Sequence, residues 1–131
     1  MPERRKRLAA GLVTVVALAT AVVAAPQADA DINQCGASSI CAWEDFGFSG
    51  GFTTMQQQSS TFAGKAYDNG QSVNNSISSA RNNSVYYYCL YTNINFTGTS
   101  VIFPPNTQLS SLGSDVNDKF RSGRVNESAN C

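Results

Sequence analysis

The 131-residue sequence contains nine Lys or Arg, nine Asp or Glu and no His, so its formal net charge is zero at neutral pH. Without histidine there is no Ser-His-Asp triad and no histidine general base, and no glycine-rich phosphate loop occurs. These absences exclude the commonest catalytic arrangements. We therefore expect a protein that is not an enzyme.

Residues 1–30 have the pattern of a secretory signal peptide. Four basic residues precede an uncharged run over residues 8–25, and Ala28 and Ala30 supply the small side chains that a signal peptidase reads. A membrane anchor is the alternative, because the apolar run is nearly long enough to span a bilayer. Pro26 and the small-residue site favour cleavage after Ala30. We therefore expect a secreted, extracellular protein that has no membrane contact after cleavage.

The remaining residues, 31–131, are predicted by their length to form a single domain. They carry five basic and seven acidic side chains, which gives a net charge of −2. This charge offers no electrostatic reason for binding nucleic acid or an anionic membrane surface. We expect neither as a partner, and we expect the domain to be a monomer.

All four cysteines lie in this domain, at Cys35, Cys41, Cys89 and Cys131. An even number of cysteines in a short exported chain predicts two disulfide bonds. A zinc site is the competing interpretation, but the sequence has no His and no CxxC pair, and the compartment is oxidising. Three pairings of the four cysteines are possible.

Short apolar or aromatic runs alternate with clusters of Gly, Asn, Ser and Pro along the domain. This spacing predicts short strands and an all-β sandwich or barrel. The polar stretch Gln56–Ser72 predicts a long loop, which is the best candidate for partner contact, although a plain solvated insertion is favoured. The run Tyr86–Tyr88, with Tyr91, predicts a strand whose rings are alternately buried and exposed. The predicted strands are Ile40–Trp43, Gly51–Met55, Val85–Tyr91, Ser100–Phe103 and Arg121–Val125.

An internal repeat relates the two halves of the domain. A shift of 48 residues places Cys41–Gly50 over Cys89–Gly98, and a shift of 43 places Asn74–Ser79 over Asn117–Ser122. The difference predicts five extra residues in the first copy, most simply within Gln56–Ser72. Two copies of one supersecondary unit would together bury faces that neither copy can bury alone.

Each copy contains an aromatic residue, a second aromatic residue five positions later, a glycine two positions after that, and a later Asx-Asx-x-x-x-Ser stretch. The two aromatic side chains would pack on a folded hairpin, while the glycine takes a positive φ. The pattern resembles the double Greek-key motif of βγ-crystallins and spans Cys41 to about Val125. The resemblance implies an all-β, disulfide-stapled βγ-crystallin-like sandwich, with Greek key 1 at about residues 40–84 and Greek key 2 at about 85–131. The motif residues are Trp43, Phe48 and Gly50 in the first copy and Tyr91, Phe96 and Gly98 in the second.

The segment Cys35–Cys41 (CGASSIC) runs directly into the first Greek key. It resembles the opening of the bacterial peptidase inhibitors of family I36, which are secreted βγ-crystallin-like proteins whose type member blocks metallopeptidases. The resemblance implies a local Cys35–Cys41 bridge, which leaves Cys89 and Cys131 for each other, and a bacterial source. The inhibitory loop of the type member is held by a second closely spaced cysteine pair. This sequence has no such pair, so we assign no inhibitory loop or reactive bond.

In βγ-crystallins the Asx-Asx-x-x-Ser/Thr-Ser stretch can bind Ca²⁺ through side-chain oxygens and backbone carbonyls, the ligands that this cation prefers. By resemblance, Asn75 and Ser78 would offer side-chain oxygens, Ser76 a carbonyl, and Asp118 of the second stretch a carboxylate. Arg121 stands where the second stretch should have Ser or Thr, so we expect the site that needs that oxygen to be damaged. The alternative is that these residues only hold the Greek-key corners through Asx-type hydrogen bonds.

The leading hypothesis is therefore a secreted inhibitor that presents rigid loops to the cleft of an extracellular peptidase, in the first place a metallopeptidase. One alternative is an extracellular calcium-binding βγ-crystallin module with a structural task. Another is a secreted toxin-like or antimicrobial protein, a role also associated with small bacterial βγ-crystallin folds. A calcium-dependent rise in melting temperature would favour the first alternative, and growth inhibition of neighbouring microbes would favour the second.

Overall fold

Eight short β-strands follow a 3₁₀ turn (Ile32–Gln34) in this computed structural model, which describes residues 31–131. The predicted signal peptide, residues 1–30, lies outside the described residues. The five strands expected from the sequence are present with small shifts of their ends, and three further strands join them. The strands are β1 (Ile40–Asp45), β2 (Ser49–Thr54), β3 (Gln58–Ser59), β4 (Ser79–Asn82), β5 (Tyr87–Tyr91), β6 (Ser100–Phe103), β7 (Thr107–Leu109) and β8 (Ser122–Asn126).

The strands form two four-stranded antiparallel sheets. The strand order is β2-β1-β4-β7 in the first sheet and β3-β8-β5-β6 in the second. Strand β3 comes from the first half of the chain but pairs with β8, and β7 comes from the second half but pairs with β4. Each Greek key therefore gives one strand to the sheet of the other. The predicted all-β sandwich of two Greek keys is confirmed.

The hydrophobic core lies between the two sheets. Ala42 and Ala80 contribute from the first sheet, and Tyr88, Leu90 and Phe103 contribute from the second. Side chains from the connecting segments complete the core, because the strands are too short to fill it alone. These are Phe62, Tyr67, Val73, Ile77, Leu112 and Phe120.

The polar stretch Gln56–Ser72 is only partly the solvated loop that the sequence predicts. Phe62 is completely buried and Tyr67 is 3% exposed. The backbone amide of Phe62 donates to the carbonyl of Arg121, and the Asp68 carboxylate accepts from the amide of Phe52. The stretch thus contributes two aromatic side chains to the core and is hydrogen-bonded to the rest of the domain, although most of its residues are polar.

The predicted alternation of buried and exposed rings in β5 is found only at its start, where Tyr87 is partly exposed and Tyr88 is buried, and it fails at Tyr91. Tyr88 and Leu90 face the core, but Cys89 and Tyr91 on the opposite face are also buried, at 0% and 2% exposure. The reason is the C-terminal segment, which is bound to Cys89 by a disulfide and whose last residue accepts a hydrogen bond from the Tyr91 hydroxyl through its carbonyl, at 3.1 Å. A segment distant in sequence therefore covers the face that alternation assigns to solvent.

Both disulfides implied by the family resemblance are present, Cys35–Cys41 and Cys89–Cys131. Cys41 and Cys89 occupy equivalent places in β1 and β5. Cys41 is bridged to the N-terminal segment of the domain, and Cys89 is bridged to the C-terminal segment. The N-terminal segment covers Trp43, whose indole Nε1 donates to the side-chain oxygen of Gln34 at 3.1 Å. Within residues 31–131, no helix has the length and apolar character needed to cross a membrane.

The two disulfides should contribute unequally to stability. They join residues separated by 6 and 42 positions. On the chain-entropy model of cross-linking, loops of these sizes correspond to about 2 and about 4 kcal/mol. Replacing Cys89 and Cys131 together by Ala should therefore lower the free energy of unfolding more than replacing Cys35 and Cys41. Urea denaturation of both double variants measures the difference, and equal losses would contradict it.

Candidate functional site

The connection between β1 and β2 folds back on itself. Gly47 and Phe48 both have positive φ, at 67° and 60°, and the ring of Phe48 packs edge-on against Trp43 with centroids 5.2 Å apart. The equivalent hairpin between β5 and β6 has Asn95 and Phe96 at φ 57° and 60°. There the rings of Tyr91 and Phe96 lie 5.9 Å apart. The structure thus brings together both aromatic pairs of the motif.

The motif glycines lie just beyond these folds, where a side chain would be doubly unfavourable. Gly50 and Gly98 have φ values of 73° and 86°, in the left-handed region that L-residues avoid. A Cβ atom at Gly98 would lie 2.6 Å from the hydroxyl oxygen of Thr92, and one at Gly50 would clash with the carboxylate of Asp45. Both conformation and space therefore require glycine here.

A buried serine hydroxyl closes the first hairpin. Ser79 is 0% exposed, and its hydroxyl donates to the carbonyl of Asp45 at 2.7 Å and accepts from the amide of Phe48 at 3.0 Å. The second hairpin is closed in the same way by Ser122, whose hydroxyl donates to the carbonyl of Asn93 at 2.6 Å and accepts from the amide of Phe96 at 3.1 Å. These are the last residues of the two Asx-Asx-x-x-x-Ser stretches.

Some residues of the two stretches line an open, largely polar cleft beside the hairpins. Two backbone bonds bring the stretches together: the amide of Asn75 donates to the carbonyl of Phe120, and that of Asp118 to the carbonyl of Ile77. Within residues 31–131, no three His, Cys, Asp or Glu side chains are close enough together to form a metal cluster. The lining residues are Glu44, Asp45, Phe46, Asn75, Ser76, Ser78, Asn117 and Asp118.

The two stretches meet crosswise. The hydroxyl of Ser78, from the first stretch, donates to a carboxylate oxygen of Asp118, from the second, at 3.0 Å. The side-chain oxygen of Asn117, next to Asp118, is buried without a hydrogen-bond partner, as is that of its equivalent, Asn74. Hydroxyl, carboxylate and amide oxygens are ligands that Ca²⁺ accepts. The oxygen atoms in this part of the cleft are therefore suitable ligands for a hard cation.

The equivalent positions, beside Asn75 at the edge of the cleft, have a different chemistry. Arg121 donates from its guanidinium Nε to the side-chain oxygen of Asn75 at 3.1 Å. A fixed positive charge thus occupies the place that corresponds to Ser78, and the oxygen of Asn75 is already bound. The resemblance assigned the side-chain oxygens of Asn75 and Ser78 to one cation. In the structure these side chains have different partners, Arg121 for Asn75 and Asp118 for Ser78. The residues at the equivalent positions do not fit a cation.

Ser76 uses its hydroxyl inside the structure. The hydroxyl contacts the phenol oxygen of Tyr67 at 3.1 Å and donates to the carbonyl of Val73 at 3.1 Å. Burial raises the pKa of the Tyr67 phenol, and the nearby carboxylates of Glu44 and Asp118 act in the same direction, so the phenol remains protonated. The hydroxyl of Ser76 thus serves the fold, and the resemblance implies only its backbone carbonyl as a cation ligand.

The carboxylates of Glu44 and Asp45 are cleft residues that the sequence analysis did not assign to the site. Glu44 also accepts from the side-chain amide of Asn69 at 2.7 Å, which ties the β1 end to the 56–72 segment. The repeat gave no sign of this role, since the equivalent residues of the second copy are Thr92 and Asn93.

Comparison with known proteins identifies the family. The profile of peptidase inhibitor family I36 matches residues 28–103 and 86–131. The chain belongs to this family. It is a family of inhibitors and not of enzymes. No match is found among curated proteins.

Solved structures similar to this family I36 chain are βγ-crystallin domains. One structure, from a study of the evolution of the eye lens βγ-crystallin domain fold, is 15% identical in sequence. The match covers 71% of this chain and 89% of the other chain, with a TM-score of 0.62. A double mutant of a βγ-crystallin domain from Clostridium beijerinckii has 26% identity, covers 69% and 98%, and gives 0.56. A clostrillin double mutant in complex with nickel has 25% identity, covers 66% and 95%, and gives 0.55.

The buried serine at each hairpin should be essential for the stability of this I36 domain. Ser79→Ala removes the partner of one backbone carbonyl and one backbone amide. A buried polar group without a partner costs about 1–3 kcal/mol, so we expect a loss in that range or above it. Ser49→Ala is the control, because the Ser49 hydroxyl makes one exposed bond to the carbonyl of Phe46. Thermal and urea denaturation measure both losses, and losses of equal size would contradict the role given to Ser79.

Proposed function

We propose that the protein is a secreted inhibitor of an extracellular endopeptidase, in the first place a metallopeptidase. The observation that carries the proposal is the match to peptidase inhibitor family I36, which extends over the whole described domain. The signal-like sequence of residues 1–30 supports secretion, and so do the two disulfides, because disulfides persist in oxidising compartments. The net charge of −2 in residues 31–131 argues for a protein partner and against nucleic acid.

The fold has the physical property that such inhibition needs. A loop that is already ordered loses little conformational entropy when it enters a peptidase cleft. Here each hairpin is closed by a fully buried serine, and both termini are fastened by disulfides to central strands. The short strands leave long connections, but these are held at their ends by backbone and side-chain hydrogen bonds. The domain is therefore suited to presenting connections in fixed conformations.

The first test is an inhibition assay with protein purified from the medium of a host that expresses the full chain. We expect stoichiometric loss of activity of a thermolysin-like metallopeptidase, with subtilisin as the second peptidase class. Reduced and alkylated protein is the control, and it should not inhibit because the ordering of the loops is lost. No inhibition of either peptidase at micromolar concentrations of folded protein would contradict the proposal. Mass spectrometry of the secreted protein also checks cleavage after Ala30.

We propose weak Ca²⁺ binding as a second property, carried by the crosswise pair Ser78–Asp118 and the unpartnered oxygen of Asn117. One part of the cleft has these oxygen ligands, whereas Arg121 replaces the hydroxyl at the equivalent positions. One cation per domain is therefore the proposed stoichiometry. Extracellular calcium modules bind with dissociation constants of about 10⁻⁴–10⁻³ M, and a single open site belongs in that range.

Calcium should therefore raise the melting temperature of the protein. A Ca²⁺ concentration of about 10 to 100 times the dissociation constant stabilises a folded state by about 1.4–2.7 kcal/mol. Asp118→Asn should abolish the effect while retaining the fold, because Asn tolerates the left-handed φ of 58° at this position. Asp115→Asn is the control, since this exposed carboxylate lies outside the cleft. Calorimetry in Ca²⁺ and in Mg²⁺ measures the shifts, and an equal shift for both variants would contradict the site.

A further inference from the structure

The connection between β4 and β5, here called the linker loop (residues 83–86), exposes two consecutive apolar side chains. Val85 is 77% exposed, the most of any large hydrophobic residue in the described part of the chain, and Tyr86 is 47% exposed. A β-branched side chain placed so far into water gains nothing from the fold itself. The linker loop joins the two Greek keys, so its conformation is fixed by both halves of the domain.

A fully buried asparagine holds the linker loop from inside. The side-chain nitrogen of Asn82, which is 0% exposed, donates to the carbonyl of Tyr86 at 2.6 Å and to that of Phe103 at 2.9 Å. Its side-chain oxygen accepts from the amide and the hydroxyl of Ser84 at 3.1 and 2.6 Å. The hydroxyl of Ser84 in turn accepts from the amide of Tyr86 at 3.2 Å. Asn82 thus anchors both sides of Val85 and leaves Val85 itself pointing away from the anchor.

The outer end of the linker loop is tied to the disulfide-closed N-terminal segment. The side-chain amide of Asn83 donates to the carbonyls of Cys35 and Gly36 at 3.1 and 2.9 Å. Its backbone carbonyl accepts from the amide of Ser38, and its backbone amide donates to the carbonyl of Ser39. Because Cys35 is bridged to Cys41 in the centre of the first sheet, this support is covalent as well as hydrogen-bonded.

The segments that are hydrogen-bonded to the linker loop contain no charged residue. Residues 36–39, 83–87 and 103–106, which are joined by the bonds above, include no Asp, Glu, Lys or Arg. The other candidate surface, the polar cleft, is rich in carboxylates. An uncharged rigid surface with an apolar tip can enter an apolar specificity pocket without desolvating an ion, which would cost several kcal/mol.

We infer that the linker loop is the peptidase-binding loop and that Val85 is its anchor in an apolar specificity pocket of the target. This inference rests on the inhibitor function proposed above and names the surface through which that function acts. The supporting geometry is the combination of a highly exposed apolar side chain with a buried asparagine anchor and a disulfide-held flank. A few side chains that fill pockets of the partner carry most of the binding energy of a protein interface.

The test compares two charge substitutions in the protein purified from culture medium. Val85→Glu should weaken inhibition by about 100-fold or more, because a carboxylate would be buried in an apolar pocket. Ile94→Glu is the matched control: it is an apolar residue, 50% exposed, at the tip of the second hairpin. We expect its inhibition constant to change by less than about twofold. Both side chains are exposed, so the melting temperatures should equal that of the unsubstituted protein.

The outcomes separate the loop from the function. If the unsubstituted protein inhibits and Val85→Glu inhibits equally well, the linker loop is not the binding surface and the inhibitor function stands. If the unsubstituted protein inhibits neither peptidase, the inhibitor function fails and the inference fails with it. If sedimentation shows a dimer that Val85→Glu dissociates without any change in inhibition, the loop binds a second copy of this chain, which also overturns the inference.

Discussion

Two buried hydroxyl groups close the two folded hairpins on which the cleft of this domain depends. Ser79 and Ser122 each join a carbonyl before a folded hairpin to an amide within it, over distances of 2.6–3.1 Å. Each hairpin contains consecutive residues with positive φ, a conformation that costs about 1–2 kcal/mol for each non-glycine residue. The hydroxyl bond and the packing of the aromatic pair offset that cost. Without the hydroxyl bonds and the aromatic pairs, the hairpins and the cleft beside them would be destabilised.

The two disulfides involve equivalent cysteines of the internal repeat, but each of these cysteines has a partner in a different terminal segment. Cys41 and Cys89 are equivalent in the repeat, yet their partners come from opposite termini and from loops of very different length. Both bridges have the same consequence, because each terminal segment covers the outer face of a central strand and contacts its aromatic residue, Trp43 or Tyr91. A domain of about 100 residues buries only part of its apolar surface, and covering both faces of two strands enlarges the core.

The internal repeat predicted the architecture well but could not predict how the two copies meet. It identified Ser78 and Arg121 as equivalent, and likewise Asn75 and Asp118. Only the folded chain pairs Ser78 with Asp118 and Asn75 with Arg121, because the hydrogen bonds run between copies and not within them. Strands β3, β4 and β7 were missed because they are short and polar, so their composition does not indicate a strand. They are strands because β3 pairs with β8, β4 with β1, and β7 with β4. Asn82 was also missed, since one asparagine in an Asn-rich chain has no distinguishing pattern around it.

The two proposed binding surfaces lie at opposite ends of one short strand. Ser78 in the cleft precedes β4 and Asn83 in the linker loop follows it, and β4 has only four residues. The strand is hydrogen-bonded on both edges, to β1 and to β7, so a ligand at one end cannot shift it without breaking pairs on both sides. A cation in the cleft would therefore stabilise the whole domain and leave the linker loop in place. The proposed cation site, which stabilises the domain, is thus separated from the linker loop, which binds the peptidase. The linker loop can expose an apolar residue because the remainder of the fold keeps the loop rigid.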